Sequence, residues 1–129
     1  MIDKPEIMRL AQKLASHASM RHAEIARNVA NADTPGYRAK DVVAFDEYYT
    51  QSGGAAMRAT RPGHLTTFSG SSPSMTVIDA RNEPAPNGNS VSLETELIKQ
   101  AETRHQHDMA LSVYKQSLDL IRTSLGRGR

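Results

Sequence analysis

Apolar side chains recur at three- and four-residue steps through Ile7, Leu10, Ala11, Leu14, Ala18, Ile25, Val29 and Ala32. On a helix that spacing lines them up along one side. No glycine or proline falls between Glu6 and Ala32. The pattern therefore predicts one continuous helix over residues 1–32, with Asp3 as N-cap and Pro5 in the first turn, where a missing N–H costs little. About 29 residues at 1.5 Å each make a rod of roughly 43 Å. A second row, Leu111, Tyr114, Leu118, Ile121 and Leu125, alternates steps of three and four over two heptads, the spacing of a coiled-coil seam. It lies in another stretch free of helix breakers, Asn89 to Leu125. The pattern predicts a helix over residues 91–125, capped by Ser90 or Ser92, with Glu94 and Glu96 favouring its start and Gly126 its stop. Upstream, Arg104, His105 and Asp108 interrupt Leu97, Ala101 and Met109, so the C-terminal half of this helix is expected to be the better packed.

Residues 33–90 read differently, holding 6 of the 8 glycines and 5 of the 6 prolines. Continuous helix is excluded there. Leu65 to Phe68 and Met75 to Ile78 alternate like short strands that could pair, and Asp41 to Tyr49 suits a turn of helix or an extended arm. The fold class that follows is mainly α. Two long terminal helices, 1–32 and 91–125, pack as a coiled-coil-like pair in one discontinuous domain. An irregular Gly/Pro-rich middle, 33–90, has room for short β strands, and a basic tail, 126–129, follows.

Composition narrows the function. Only 38% of the 129 residues are hydrophobic and 5% aromatic, with no Trp and no Cys, and the mean hydropathy is −0.55. The absence of Cys excludes disulfides and thiolate metal sites. Sixteen basic residues against fourteen acidic ones give +2, and they are interspersed instead of forming a basic stripe, which argues against nucleic acid as a partner. The exception is Arg127-Gly128-Arg129 with Arg122 upstream, which reads as a basic C-terminus favourable to the helix dipole. No apolar run reaches the roughly 18 residues that span a bilayer, so no direct lipid insertion is expected, and no cleavable signal is visible. The histidines are not spaced as ligands: His105 and His107 point to different sides of a helix, as do His17 and His22, and His64 stands alone. No nucleophile elbow or phosphate loop is present. Neither catalytic residues, cofactor nor metal are expected.

Two helices bury only one seam against each other, which leaves Ile98, Val113 and Leu120 without partners. A lone molecule is therefore expected to be loosely folded and to gain stability from other chains. The candidate assembly faces are Leu10, Leu14, Ile25 and Val29 on the first helix, and Leu111, Tyr114, Leu118, Ile121 and Leu125 on the last.

Asn28 to Tyr37 combine small residues, helix-ending Asn28 and Asn31, then Asp33 and an abrupt Thr34-Pro35-Gly36 turn before Tyr37. Thr34 is forced extended, Pro35 fixes φ and Gly36 is expected at positive φ. From the residues alone this reads as an ordinary helix stop. The run Ile25–Tyr37, however, resembles the N-terminal signature of the axial proteins of the bacterial flagellum, in the form typical of two short proximal-rod members. Gly88–Leu97 and Arg58–Leu65 are similar to stretches that distinguish one of those members from the other, FlgC. Arg27, Ser92 and His105-Gln106-His107 depart from the family's usual residues. The resemblance implies a structural subunit of the proximal rod, whose terminal helices join an inner tube. It also implies partnership with copies of itself, with rod proteins such as FlgC, with the adaptor FliE and with the membrane-ring protein. Passage through the flagellar type III export apparatus to the periplasmic rod, without a cleaved signal, is implied as well. Phe45 and Tyr49, in Phe45-Asp46-Glu47-Tyr48-Tyr49, fit the short export element of related substrates. Rival readings are FlgC itself, a basic helical nucleic-acid-binding protein, and a small hydrolase or metal enzyme.

Overall fold

The computed structural model describes residues 6–52 and 75–126. Helix α1 spans Glu6–Ala30, strand β1 Lys40–Val42, helix α2 Phe45–Ser52, strand β2 Val77–Asp79 and helix α3 Leu93–Gly126. The fold is mainly helical, with α1 and α3 packed together and a small sheet in the irregular middle. The proposed cap Asp3, Pro5, the middle-region stretch Arg58–Leu65 and the basic tail after Gly126 lie outside the described residues.

β1 and β2 run antiparallel, with Lys40 opposite Asp79, Asp41 opposite Ile78 and Val42 opposite Val77. The strand expected at Met75 to Ile78 is thus found one or two residues later. Its expected partner, Leu65 to Phe68, lies outside the described residues, and the partner observed is Lys40–Val42. The stretch Asp41 to Tyr49 divides, its start entering the sheet and its end forming α2.

The two long helices are antiparallel. Asn28 of α1 bonds Glu96 near the start of α3, and Ala18 and Thr103 share a groove further along. On α1 the buried positions include Met8, Ala11, Ala18, Ile25 and Asn28. On α3 they are Glu96, Thr103, Ala110 and Ser117, at steps of seven. A seven-residue repeat keeps one row facing a partner helix. This row is small and polar, and the regular apolar row Leu111, Leu118, Leu125 lies one position later, beside it and not within it.

Large apolar side chains are exposed in both halves of α3, Leu93, Leu97, Ile98 and Met109 in the first and Leu111, Leu120 and Leu125 in the second, while Val113, Tyr114, Leu118 and Ile121 of the second half are half-buried. The specific polar contacts concentrate around Glu96 and Lys99. Ser92 sits just before α3, and its carbonyl accepts the Glu96 N–H at 2.9 Å. Ser90 serves elsewhere, its hydroxyl accepting the Ala39 N–H at 2.8 Å.

Candidate assembly interface

Backbone carbonyls in the turn that follows α1 need donors as well. Three of them meet Asn89. Its Nδ2 lies 3.0 Å from the Asn31 carbonyl oxygen, 2.7 Å from that of Ala32 and 3.0 Å from that of Thr34. Its Oδ1 accepts the Val91 N–H at 2.7 Å. Asn89 is buried, so this side chain from just before α3 pins the turn that follows α1. In sequence it is only one polar residue of a boundary cluster, and nothing local marks it as a pin for a distant turn.

The chain then turns at Thr34-Pro35-Gly36, with Gly36 at φ +74°, the left-handed region expected for it. The Gly36 N–H donates to the Asn87 carbonyl at 3.0 Å, and the Ser90 N–H donates to the Tyr37 carbonyl at 3.0 Å. Gly88 is at φ +80° and lies so close that a Cβ on it would meet Gly36 Cα at 3.3 Å. The two stretches singled out in the sequence, Asn28–Tyr37 and the run beginning at Gly88, are therefore bolted to each other. Within the first, Thr34 Oγ1 donates to Asn31 Oδ1 at 3.3 Å and Asn31 Nδ2 to the Arg27 carbonyl at 2.8 Å. Asp33, Thr34, Pro35 and Gly36 are exposed.

Asn28 is fully buried. Its Nδ2 donates to the Lys40 carbonyl at 2.7 Å and to Glu96 Oε2 at 3.0 Å, while its Oδ1 accepts the Lys40 N–H at 3.0 Å and the Tyr37 hydroxyl at 3.4 Å. The side chain pairs with Lys40 as a neighbouring strand would. From Glu96 a charged chain continues through Lys99 Nζ at 3.3 Å, Asp41 at 3.1 Å and Arg21 Nε at 3.1 Å. Two carboxylates face two cations, which offsets the desolvation of each. Burial pushes the Asp41 carboxyl up, but hydrogen bonds from Arg21, the Val42 N–H and Lys99, with the Arg21 charge, outweigh it and hold the carboxyl below its ordinary value.

His17 is buried, its Nε2 2.7 Å from the Val43 carbonyl. The Phe45 ring meets it edge-on at 5.5 Å and Tyr48 stacks at 6.1 Å. This aromatic group seats α2 on α1. Phe45 is half-buried and Tyr49 exposed, with Lys13 Nζ 5.5 Å from the Tyr49 ring. His22 and His105 are exposed, and among the described residues no group of three or more His, Cys, Asp or Glu could hold a metal. No described helix is long and apolar enough to cross a membrane.

Of the candidate assembly residues, Ile25 is buried, and Leu14, Tyr114, Leu118 and Ile121 are half-buried. Leu10 and Val29 are exposed, as are Leu111 at 49% and Leu125 at 74%. Leu97, Leu111, Leu118 and Leu125 share one heptad position, interrupted by Arg104. Where Arg104 interrupts, α1 and α3 part into a groove of ≈ 670 Å³, with Ala18, Ser19, Ala101 and Thr103 among its lining. On α3 the intramolecular seam thus uses polar and small residues, and much of that helix's bulky apolar surface stays open.

No family model matches the sequence. Individual relatives do. The chain is 35% identical over 118 residues to a flagellar basal body rod protein FlgB of Agrobacterium fabrum, covering 85% of each chain. It is 29% identical over 114 residues to FlgB of Salmonella typhimurium, covering 82% of this chain and 83% of that one. It is 29% identical over 121 residues to FlgB of Escherichia coli, covering 87% and 88%. These likenesses run through both helices and the turn between them, and they define the class as flagellar basal body rod proteins. Within that class, the chain belongs to the FlgB family.

Proposed function

We propose that the chain is a non-catalytic building block of the proximal rod, the base of the drive shaft for flagellum-dependent motility. It assembles helically with copies of itself, with FlgC and with the adaptor FliE against the membrane-ring protein. It reaches the periplasmic side through the type III export apparatus, with Phe45 and Tyr49 as the candidate export element. The observation that carries this reading is the exposure of Leu97, Leu111 and Leu125, with half-buried Leu118 in the same row, beside a seam already closed by Glu96, Thr103, Ala110 and Ser117. Exposed apolar side chains gathered along one helix row mark a partner surface. A neighbouring helix that covers the row supplies the apolar burial that the α1–α3 pair lacks.

The test replaces Leu111 and Leu118 together by Asp. The expected result is a chain that is still secreted but absent from purified basal bodies, in non-motile cells. Wild-type motility with normal incorporation overturns the reading.

A further inference from the structure

Asn87-Gly88 is the one place in the chain where an asparagine precedes glycine, the pair most prone to cyclise because glycine offers no side chain to hinder attack by its backbone nitrogen. We infer that Asn87 is a modification site gated by folding, closed in the native turn and reactive when the turn is open. In the reaction the Gly88 nitrogen attacks Asn87 Cγ, a new C–N bond forms, the Cγ–Nδ2 bond breaks, and ammonia leaves with the proton lost by Gly88. A five-membered imide results. Water then opens it at either carbonyl, giving aspartate or a β-linked aspartate whose backbone is longer by one methylene.

The native turn opposes each requirement of that attack. Pro86 and Asn87 occupy the centre of a turn closed by the Gly88 N–H donating to the Ala85 carbonyl at 2.8 Å, so the nucleophilic nitrogen is engaged. Asn87 Oδ1 accepts the Asn89 N–H at 3.0 Å, which holds the side-chain amide forward, toward residue 89. The Ala85 N–H donates to the Asn89 carbonyl at 2.8 Å and the Gly36 N–H to the Asn87 carbonyl at 3.0 Å, fixing the backbone on both flanks. Cyclisation needs rotation of the Asn87 side chain and release of the Gly88 N–H, that is, local opening of the turn.

The β-linked product cannot re-form the bolt, whereas the aspartate product keeps the native backbone spacing. A β-linked residue displaces the Asn87 carbonyl from Gly36 and shifts Asn89 along the chain, away from the carbonyls of Asn31, Ala32 and Thr34 that it pins. An added carboxylate near a helix C-terminus is also unfavourable. Time spent unfolded is therefore recorded covalently as loss of the ability to refold.

The experiment ages the full chain in mildly alkaline buffer, in one arm with sucrose to favour the folded state and in another with urea. Conversion is read by fragmentation mass spectrometry of the tryptic peptide Asn82–Lys99, and helical content by circular dichroism. Conversion at Asn87 is expected to be at least roughly tenfold slower in the folded arm. Equal rates while the folded arm keeps its full helical signal overturn the inference, as does conversion in urea at Asn82 or Asn89 in place of Asn87. In a second reading, urea-aged chain is returned to sucrose. Wild-type chain is expected to lose helical recovery in proportion to its β-linked fraction, and Asn87→Gln, whose larger ring closes slowly, is expected to recover in full. Equal loss in both overturns the link between the modification and refolding.

Discussion

Asn28 and Glu96, 68 positions apart in sequence, share a buried hydrogen bond of 3.0 Å that joins the end of α1 to the start of α3. Both side chains are fully enclosed, so each depends on the other for satisfaction. Asn28→Ala removes this bond and both bonds to the Lys40 backbone. Leaving a buried carboxylate short of a donor is costly, and the expected loss is about 2–4 kcal/mol. A urea titration in stabilising osmolyte, followed by helical ellipticity, measures it.

Asn89 makes a sharper chemical prediction, because its role depends on a donor. Asn89→Asp keeps the shape but sets carboxylate oxygens against the carbonyls of Asn31, Ala32 and Thr34. It also puts negative charge at the negative end of α1. Asp is expected to destabilise more than Ala, although it is closer in size, and paired thermal melts of the two variants give the order.

The two glycines of the bolt are expected to respond differently to substitution. A Cβ at Gly36 meets nothing within 4 Å, whereas one at Gly88 meets Gly36 Cα at 3.3 Å. At Gly36 the penalty is conformational alone, about 1–2 kcal/mol for residues that resist positive φ, and Asn is tolerated there. Gly36→Asn is thus expected to assemble, Gly36→Val to be secreted yet fail to assemble, and Gly88→Ala to lose more stability than Gly36→Ala. Motility assays and melts on the four variants check the series.

Asp41 supplies the pH dependence. Its carboxyl is held below its ordinary value in the folded chain, so the folded state binds a proton less readily than the unfolded one. The stabilisation is present above the unfolded value, about 3.9, and is lost as pH falls through the folded value. Helical signal is expected to hold from about pH 8 to 5 and decline below about pH 4. Asp41→Asn should flatten that acid decline while lowering stability at neutral pH, since Arg21 and Lys99 lose their common anion.

The long helices were legible because Gly and Pro are absent from their interiors, and the turn because Thr34-Pro35-Gly36 leaves few backbone choices. The positive φ of Gly36 follows from the same local rule. What stayed hidden was non-local. Periodicity finds the most regular apolar row, and Leu111, Leu118 and Leu125 form it, but which row faces α1 is decided by Glu96 and Lys99 meeting Asn28 and Asp41. Those polar partners carry no periodic signal. Nor does anything near Asn89 in sequence announce the three carbonyls it serves, or anything near Lys40 the strand it pairs with.

Adjacent positions on α3 offer a direct test of that frame. Ala110 is buried against α1 and Leu111 is exposed. Ala110→Leu overfills a closed seam and is expected to destabilise the isolated chain by about 1–3 kcal/mol. Leu111→Ala removes an exposed side chain and should change the isolated chain by less than about 0.5 kcal/mol. In the proposed assembly the ranking is expected to reverse for Leu111, whose loss would take away apolar area covered by a neighbour, worth about 25 cal/mol per Å². Melts of the purified variants and their abundance in basal bodies separate the two effects. If Leu111→Ala melts early and Ala110→Leu melts normally, the row facing α1 is the Leu row, and the open surface assigned to α3 belongs elsewhere.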